Sequence, residues 1–332
     1  MIYRHHARRR HHRSMESAPV APKECKTMKT VTFRNRNWNV AADLHFPNGF
    51  DASKKYPAII CAHPISSCKE QTSGIYGRKL AELGYATLVF DASTQGASEG
   101  GPRFSEDPAT RVEDFRCAVD YLMTQDFVDE DRVGVLGICG GGGYAVNATM
   151  TDHRIKALGT VVVANYGRLV REGAEPDAAL KAIEALGKQR TAEARGAEPL
   201  MTTYIPNSPQ ERDAAGITDI DVTEAVDYYR TQRGQQPGSP NKLRFTSISG
   251  AFAFDAFHLA EQLLTQPLQV VIGSIPGGFG SYRDGYELFN KARSETKRLH
   301  VVEGASHYDL YDNPKCIDEA VGVLGEFYGK NL

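Results

Sequence analysis

The sequence predicts an α/β protein: a doubly wound, mostly parallel sheet with a helical cap inserted late in the chain. Three observations carry this. Short β-branched apolar runs alternate with amphipathic helical stretches from about residue 30 to the C-terminus. About 100 residues separate the run ending near Ala164 from the next one at Leu268, too many for an ordinary connection. Finally, an apolar run enters a junction of tiny residues, Gly137-Ile138-Cys139-Gly140-Gly141, and a small-residue helix follows.

The elements follow in order. VTFR (31–34) and NVAADLHF (39–46) alternate apolar and polar, as in an antiparallel entry hairpin. PAIICA (57–62), YATLVF (85–90), VGVLGI (133–138) and IKALGTVVVA (155–164) suit strands buried on both faces of a parallel sheet. LQVVIG (268–273) and LHVV (299–302) continue the series. A helix over 108–124 has Asp107 as N-cap and Pro108 in its first turn, with Val112, Phe115, Val119 and Leu122 on one face. A last helix, 314–328, aligns Ile317, Ala320, Val321, Leu324 and Phe327. Within the long interval, helices are expected at 177–195 and 255–264, with loop signals such as IPNSP and QQPGSPN between them. The domains are therefore read as a leader at 1–27, a core at 28–165 and 266–332, and a cap at 166–265.

The 332 residues carry a net charge of -2, but the average hides two unlike pieces. Residues 1–14 hold five arginines and four histidines and no acid, so 34 Lys+Arg against 41 Asp+Glu leave -7 for the rest. A mildly acidic body gives no reason to expect nucleic acid as a partner. No apolar run is long enough for a membrane span, and no apolar stretch follows the basic leader as a secretory signal requires. The leader lacks the serines and apolar face of a mitochondrial presequence and reads as an extension upstream of the fold. The six cysteines show no C-x-x-C pair and no zinc spacing, which suits a reducing cytoplasm and calls for no metal or other cofactor.

The chemistry is expected at Gly137–Gly141. This G-x-nucleophile-x-G turn carries cysteine where serine is more familiar. A nucleophile on so tight a strand-to-helix turn needs tiny neighbours two positions either side. The Gly140 N–H, at the helix N-terminus, then faces the oxyanion, and the same helix end should lower the Cys139 pKa. A dinucleotide loop is the rival, because Gly140, Gly142 and Ala145 form G-x-G-x-x-A. That reading needs an acid at the end of the following strand, and VVVANYG has none. The base should follow the last strand, where EGASHYDLYD supplies His307. A second oxyanion donor should come from the loop after PAIICA; Pro64 has no N–H, which leaves Ile65. His63 is read as shaping that loop, and His300, inside the final strand, as structural.

The runs HPISSCKEQTSGIYGRKLAELGY, FDASTQGASEGGPRFSEDPATRVEDFRCAVDYL, GICGGGGYA and SHYDLYD resemble the dienelactone-hydrolase-like branch of the α/β-hydrolases, with bacterial YcjY-type proteins and the polyketide transferase family nearest. The resemblance spans about residue 28 to the C-terminus. It implies the α/β-hydrolase fold, Cys139 as nucleophile, His307 as base, and an oxyanion hole at Gly140 and Ile65. It also implies an acid just after LQVVIG, yet SIPGGFGSYRDGYELF places Gly277 and Gly278 there. Three arrangements stay open: Asp284 folds back to His307, the acid comes from elsewhere, or a Cys–His dyad suffices. Tyr166, Phe252 and Phe254 are candidates to line the acyl site.

The expected activity is hydrolysis of an ester, lactone or thioester through an acyl-cysteine. The alternatives are acyl transfer to an alcohol, or a non-catalytic binding protein on a hydrolase fold. The expected partner is a small acyl substrate, free or carrier-bound. The sequence fixes neither the acyl group nor the oligomeric state.

Overall fold

The structure is a computed structural model that describes residues 27–172 and 177–332. The basic leader, Cys25 and residues 173–176 lie outside them. The entry hairpin is β1 (Met28–Asn35) and β2 (Trp38–His45), antiparallel with Val31 opposite Ala42. Then follow β3 (Tyr56–Ala62), α1 (Thr72–Glu82), β4 (Ala86–Phe90), α2 (Pro108–Met123), β5 (Val128–Ile138), α3 (Gly140–Thr151) and β6 (Ile155–Val161). Between β6 and the next sheet strand lie α4 (Tyr166–Arg171), α5 (Ala178–Ala194), β7 (Met201–Thr202), α6 (Pro209–Ala214), α7 (Ile220–Arg230), β8 (Leu243–Arg244), α8 (Ser249–Ala253) and α9 (Ala260–Leu263). The chain ends with β9 (Leu268–Gly273), α10 (Ser281–Lys291), β10 (Lys297–Val302), α11 (Asp309–Asp312) and α12 (Pro314–Asn331).

Eight strands form one sheet in the order β1-β2-β4-β3-β5-β6-β9-β10. From β4 onward every neighbour is parallel, and the hairpin joins through an antiparallel β2–β4 pairing. Alternate strand residues serve opposite faces, as a pleated strand requires. Ile60, Val135 and Ile272 join the core under α2, α3 and α10, while Ile59, Leu136 and Val271 join the one under α1 and α12. Burial on both faces explains why these strands read as unbroken apolar runs. Asp107 caps α2 by accepting from Ala109 N, and Pro108 and Pro314 open their helices where a missing N–H costs nothing.

The local reading departs from the structure in several places, including the unexpected helices α4, α8, α10 and α11. Helix α1 was not expected, because Gly74 and Gly77 lower its helix propensity. Gly77 is required by packing: a Cβ there would stand 2.4 Å from Val89 Cγ2. The helix expected at 255–264 is confined to Ala260–Leu263, because Leu259 adopts a left-handed backbone at φ 65° that stops propagation toward Asp255. The stretch read as loops contains α6 and α7, each started by a side-chain cap, Ser208 to Glu211 N and Asp219 to Val222 N.

The segment between β6 and β9, called the cap below, packs on loops at the carboxyl ends of the parallel strands. Gln71 Nε2 donates to Gly234 O, Ser239 Oγ to Ser66 O, and Ser306 Oγ to Glu224. In an open α/β sheet this edge is where ligands bind.

Candidate active site

Cys139 sits between β5 and α3 at φ 53°, ψ -125°, a backbone conformation that costs a non-glycine residue energy. The junction is held on both sides. Cys139 N donates to Val161 O, and Cys139 O accepts from Gly142 N and Ala164 N. The flanking glycines are steric necessities. A Cβ on Gly137 would lie 2.5 Å from Gly142 Cα, and one on Gly141 would lie 2.5 Å from His63 O.

Both residues expected to supply oxyanion donors, Gly140 and Ile65, lie beside this turn. Gly140 N–H faces the Cys139 sulfur. The Ile65 side chain packs so closely on Gly140 that a Cβ there would meet Ile65 Cδ1 at 2.5 Å, and Ile65 N–H has no partner among the described residues. His63 is committed to the loop, with Nδ1 2.6 Å from Pro64 O and Nε2 accepting from Ala92 N at 2.9 Å. Behind it is a buried ion pair that sequence reading missed. Arg111 contacts Glu106 at 3.2 Å and donates to His63 O at 3.0 Å, while Tyr144 donates to Glu106 at 2.8 Å. This pair ties α2, α3 and the Ile65 loop into one rigid frame.

His307 lies after β10 and is buried, with both ring nitrogens engaged: Nδ1 is 2.9 Å from Ser281 Oγ and Nε2 is 3.1 Å from the Tyr311 hydroxyl. The same hydroxyl lies close enough to Cys139 to favour its thiolate, while Cys139 in turn raises the Tyr311 pKa. Tyr311 therefore stands between the two residues the sequence singled out. Its position one helical turn past His307 makes it locatable in SHYDLYD only once α11 is known. Burial lowers the His307 pKa to about 3. The Cys139 thiol corrects an expectation: burial pushes it up to about 11, outweighing the opposing pull of Tyr311 and Gly140 N–H. At rest this is a neutral thiol beside a neutral imidazole.

Asp284 is fully buried, but the structure does not bring it to His307. Its carboxylate meets Arg168 Nε at 2.8 Å and Nη2 at 2.9 Å and accepts from Asn165 N at 2.7 Å. It faces α4 because it sits a full turn into α10, whereas Ser281, at the start of that helix, points to the imidazole.

Cys139 opens on a cavity of about 90 Å³ walled by Tyr166, Tyr204, Tyr229, Tyr308 and Tyr311. Tyr166, one of the three candidates for lining an acyl site, borders this cavity. Phe252 and Phe254 are not part of that wall; Phe254 leans on Tyr144, 5.6 Å between ring centroids.

The sheet order, the strained turn after β5 and the late histidine define an α/β-hydrolase. More closely, the chain belongs to the dienelactone hydrolase family, whose model matches residues 47–186. It is 40% identical over 309 residues to the uncharacterized protein YcjY of Escherichia coli K12, covering 91% of this chain and 98% of that one. It is 30% identical to a thiohydrolase of Aspergillus aculeatus, over 76% of this chain and 79% of that one. The crystal structure of the hypothetical protein PA2218 from Pseudomonas aeruginosa superimposes with a TM-score of 0.83 at 31% identity, over 92% and 94% of the two chains. Among the described residues, no helix is long and apolar enough to cross a membrane.

Proposed function

We propose that the protein is an acyl-cysteine enzyme that cleaves small thioesters or activated esters. The observation that carries this reading is the chain Cys139 thiol, Tyr311 hydroxyl, His307 Nε2 on the strained turn. With the His307 Nδ1 proton donated to Ser281, Nε2 accepts from Tyr311, whose oxygen accepts from the thiol. The thiol proton passes through the Tyr311 hydroxyl to Nε2 as sulfur bonds to the carbonyl carbon. Gly140 and Ile65 N–H groups hold the oxyanion. His307 returns the proton to the departing thiol or alcohol as the old bond to carbon breaks, then draws one from the incoming nucleophile to release Cys139.

An acyl-cysteine is itself a thioester, so exchange with a thioester substrate is close to isoenergetic, and the name of the Aspergillus relative agrees with that class. A cavity of about 90 Å³ accommodates an acyl chain of a few carbons. Water as the second nucleophile gives hydrolysis; an alcohol gives transfer.

Mass spectrometry after incubation with acetyl thioesters tests this. An acetyl adduct on Cys139, absent from Cys139→Ala, is expected; no adduct with any activated ester would sink the reading in favour of a binding protein. Added alcohols that divert product from free acid would identify a transferase.

A further inference from the structure

The two glycines that stand where the family resemblance implies an acid have a structural reason. A Cβ on Gly277 would lie 2.2 Å from Asp221 Cγ, and one on Gly278 would lie 2.9 Å from Asp219 Cγ. Both acids belong to the cap, at the start of α7. Asp219 accepts from Gly278 N at 2.8 Å, and Asp221 from Phe279 N at 2.8 Å. The carboxylate of Asp221 thus fills the space that a side chain at 277 would occupy.

His307 must hold a positive charge while fully enclosed, which is costly without a nearby anion. Two buried carboxylates lie in the electrostatic field of Cys139, Asp221 and Asp284. Asp284 is matched by Arg168. Asp221 is not matched: it is buried, its Oδ1 has no hydrogen-bond partner, and no cation is among its electrostatic partners. The segment it grips reaches the imidazole directly, through the Phe279 ring edge-on at 5.8 Å and through Ser281 at Nδ1.

We propose that Asp221 is the missing acid: a positioning residue supplied by the cap, which balances the His307 charge from the place that Gly277 leaves open. This rests on the Cys139–His307 chemistry above. The ionisable groups facing Asp221 are Asp219 and Glu224 from its own helix region, and Cys139 and Tyr308 from the core. All are anionic when ionised, so no resting cation balances Asp221, and its link to the imidazole runs through Phe279 and Ser281.

The test is the rate of Cys139 alkylation by iodoacetamide, with Cys139→Ala as blank and thermal melting as the check on folding. Asp221→Asn should react roughly tenfold slower or worse, with its acid limb displaced. Moving the carboxylate back to the strand side, in Asp221→Gly/Gly277→Asp, should restore most of the rate. Formate, but not chloride, should do the same for Asp221→Gly. The proposal is overturned if folded Asp221→Asn stays within about twofold of wild type, or if neither relocation nor formate restores a lost rate. An unreactive Cys139 in the wild type would instead overturn the cysteine mechanism.

Discussion

The Tyr311 hydroxyl lies 3.1 Å from His307 Nε2, on the side of the imidazole that serves the thiol. In the proposed mechanism this oxygen takes the place of a direct sulfur–imidazole contact, accepting one proton while giving up another. Burial holds the phenol far above its ordinary pKa, so it relays as a neutral group. Tyr311→Phe removes the relay and leaves Nε2 without its partner. We expect kcat for acyl transfer to Cys139 to fall by roughly tenfold to a hundredfold, with KM little changed, read from the acylation burst. An unchanged burst would show that sulfur and imidazole meet directly.

The glycines of the turn separate into two kinds. At Gly137 an added methyl meets Gly142 Cα, which cannot yield, so Gly137→Ala should cost about 3 kcal/mol in denaturant unfolding. At Gly140 it meets the end of the Ile65 side chain, which can move. Gly140→Ala should melt close to wild type yet lose turnover, because Ile65 carries the proposed second oxyanion donor.

Asp284 and Arg168 hold α10 against α4 as a buried pair. Asp284→Asn leaves the Arg168 guanidinium with Glu172, 2.9 Å away and half exposed, as its one carboxylate beside the Phe279 carbonyl, and should destabilise by about 3 kcal/mol. Its effect on Cys139 alkylation should be smaller than that of Asp221→Asn. The reverse ranking, in folded variants, would return the role of acid to Asp284.

Burial raises the Asp221 pKa to about 6. A carboxylate raised on folding contributes least strain while protonated, and its cost appears as pH climbs through about 6. Asp221→Asn should therefore be more stable than wild type by roughly 2 kcal/mol at pH 8, with the gap closing below pH 5. His307, lowered to about 3, works in the opposite sense. It favours the fold above pH 6.5 and loses that contribution as acid charges the unfolded chain. Chemical unfolding of both variants across pH 5–8 resolves the two slopes.

What the sequence made legible was local. The strand runs, the caps at Asp107 and Pro314, and the tiny residues around Cys139 each follow from neighbours a few positions away. His307 was singled out from chain order. The rest depends on pairings between distant segments. Asp221 meets Gly277 across the cap boundary, Arg111 braces His63 across a strand and a helix, and Ser281 rather than Asp284 meets His307 because of the angle at which α10 leaves its loop. No periodicity encodes these. The one local hint was the pair of glycines itself, which marks a place where something else must fit.

Ser306 to Glu224, Gly278 to Asp219 and Phe279 to both Asp221 and Arg168 stitch the cap to the two loops that follow β9 and β10. Chimaeras built by exchanging caps between members of this family would thus alter more than the shape of the acyl chamber. An incoming cap lacking acids at these two positions would leave Gly277 and Gly278 beside empty space. On the role proposed for Asp221, the hybrid would fold around an imidazole with no counter-charge. Cap and base would then work as one unit, and transplanting either would call for transplanting both.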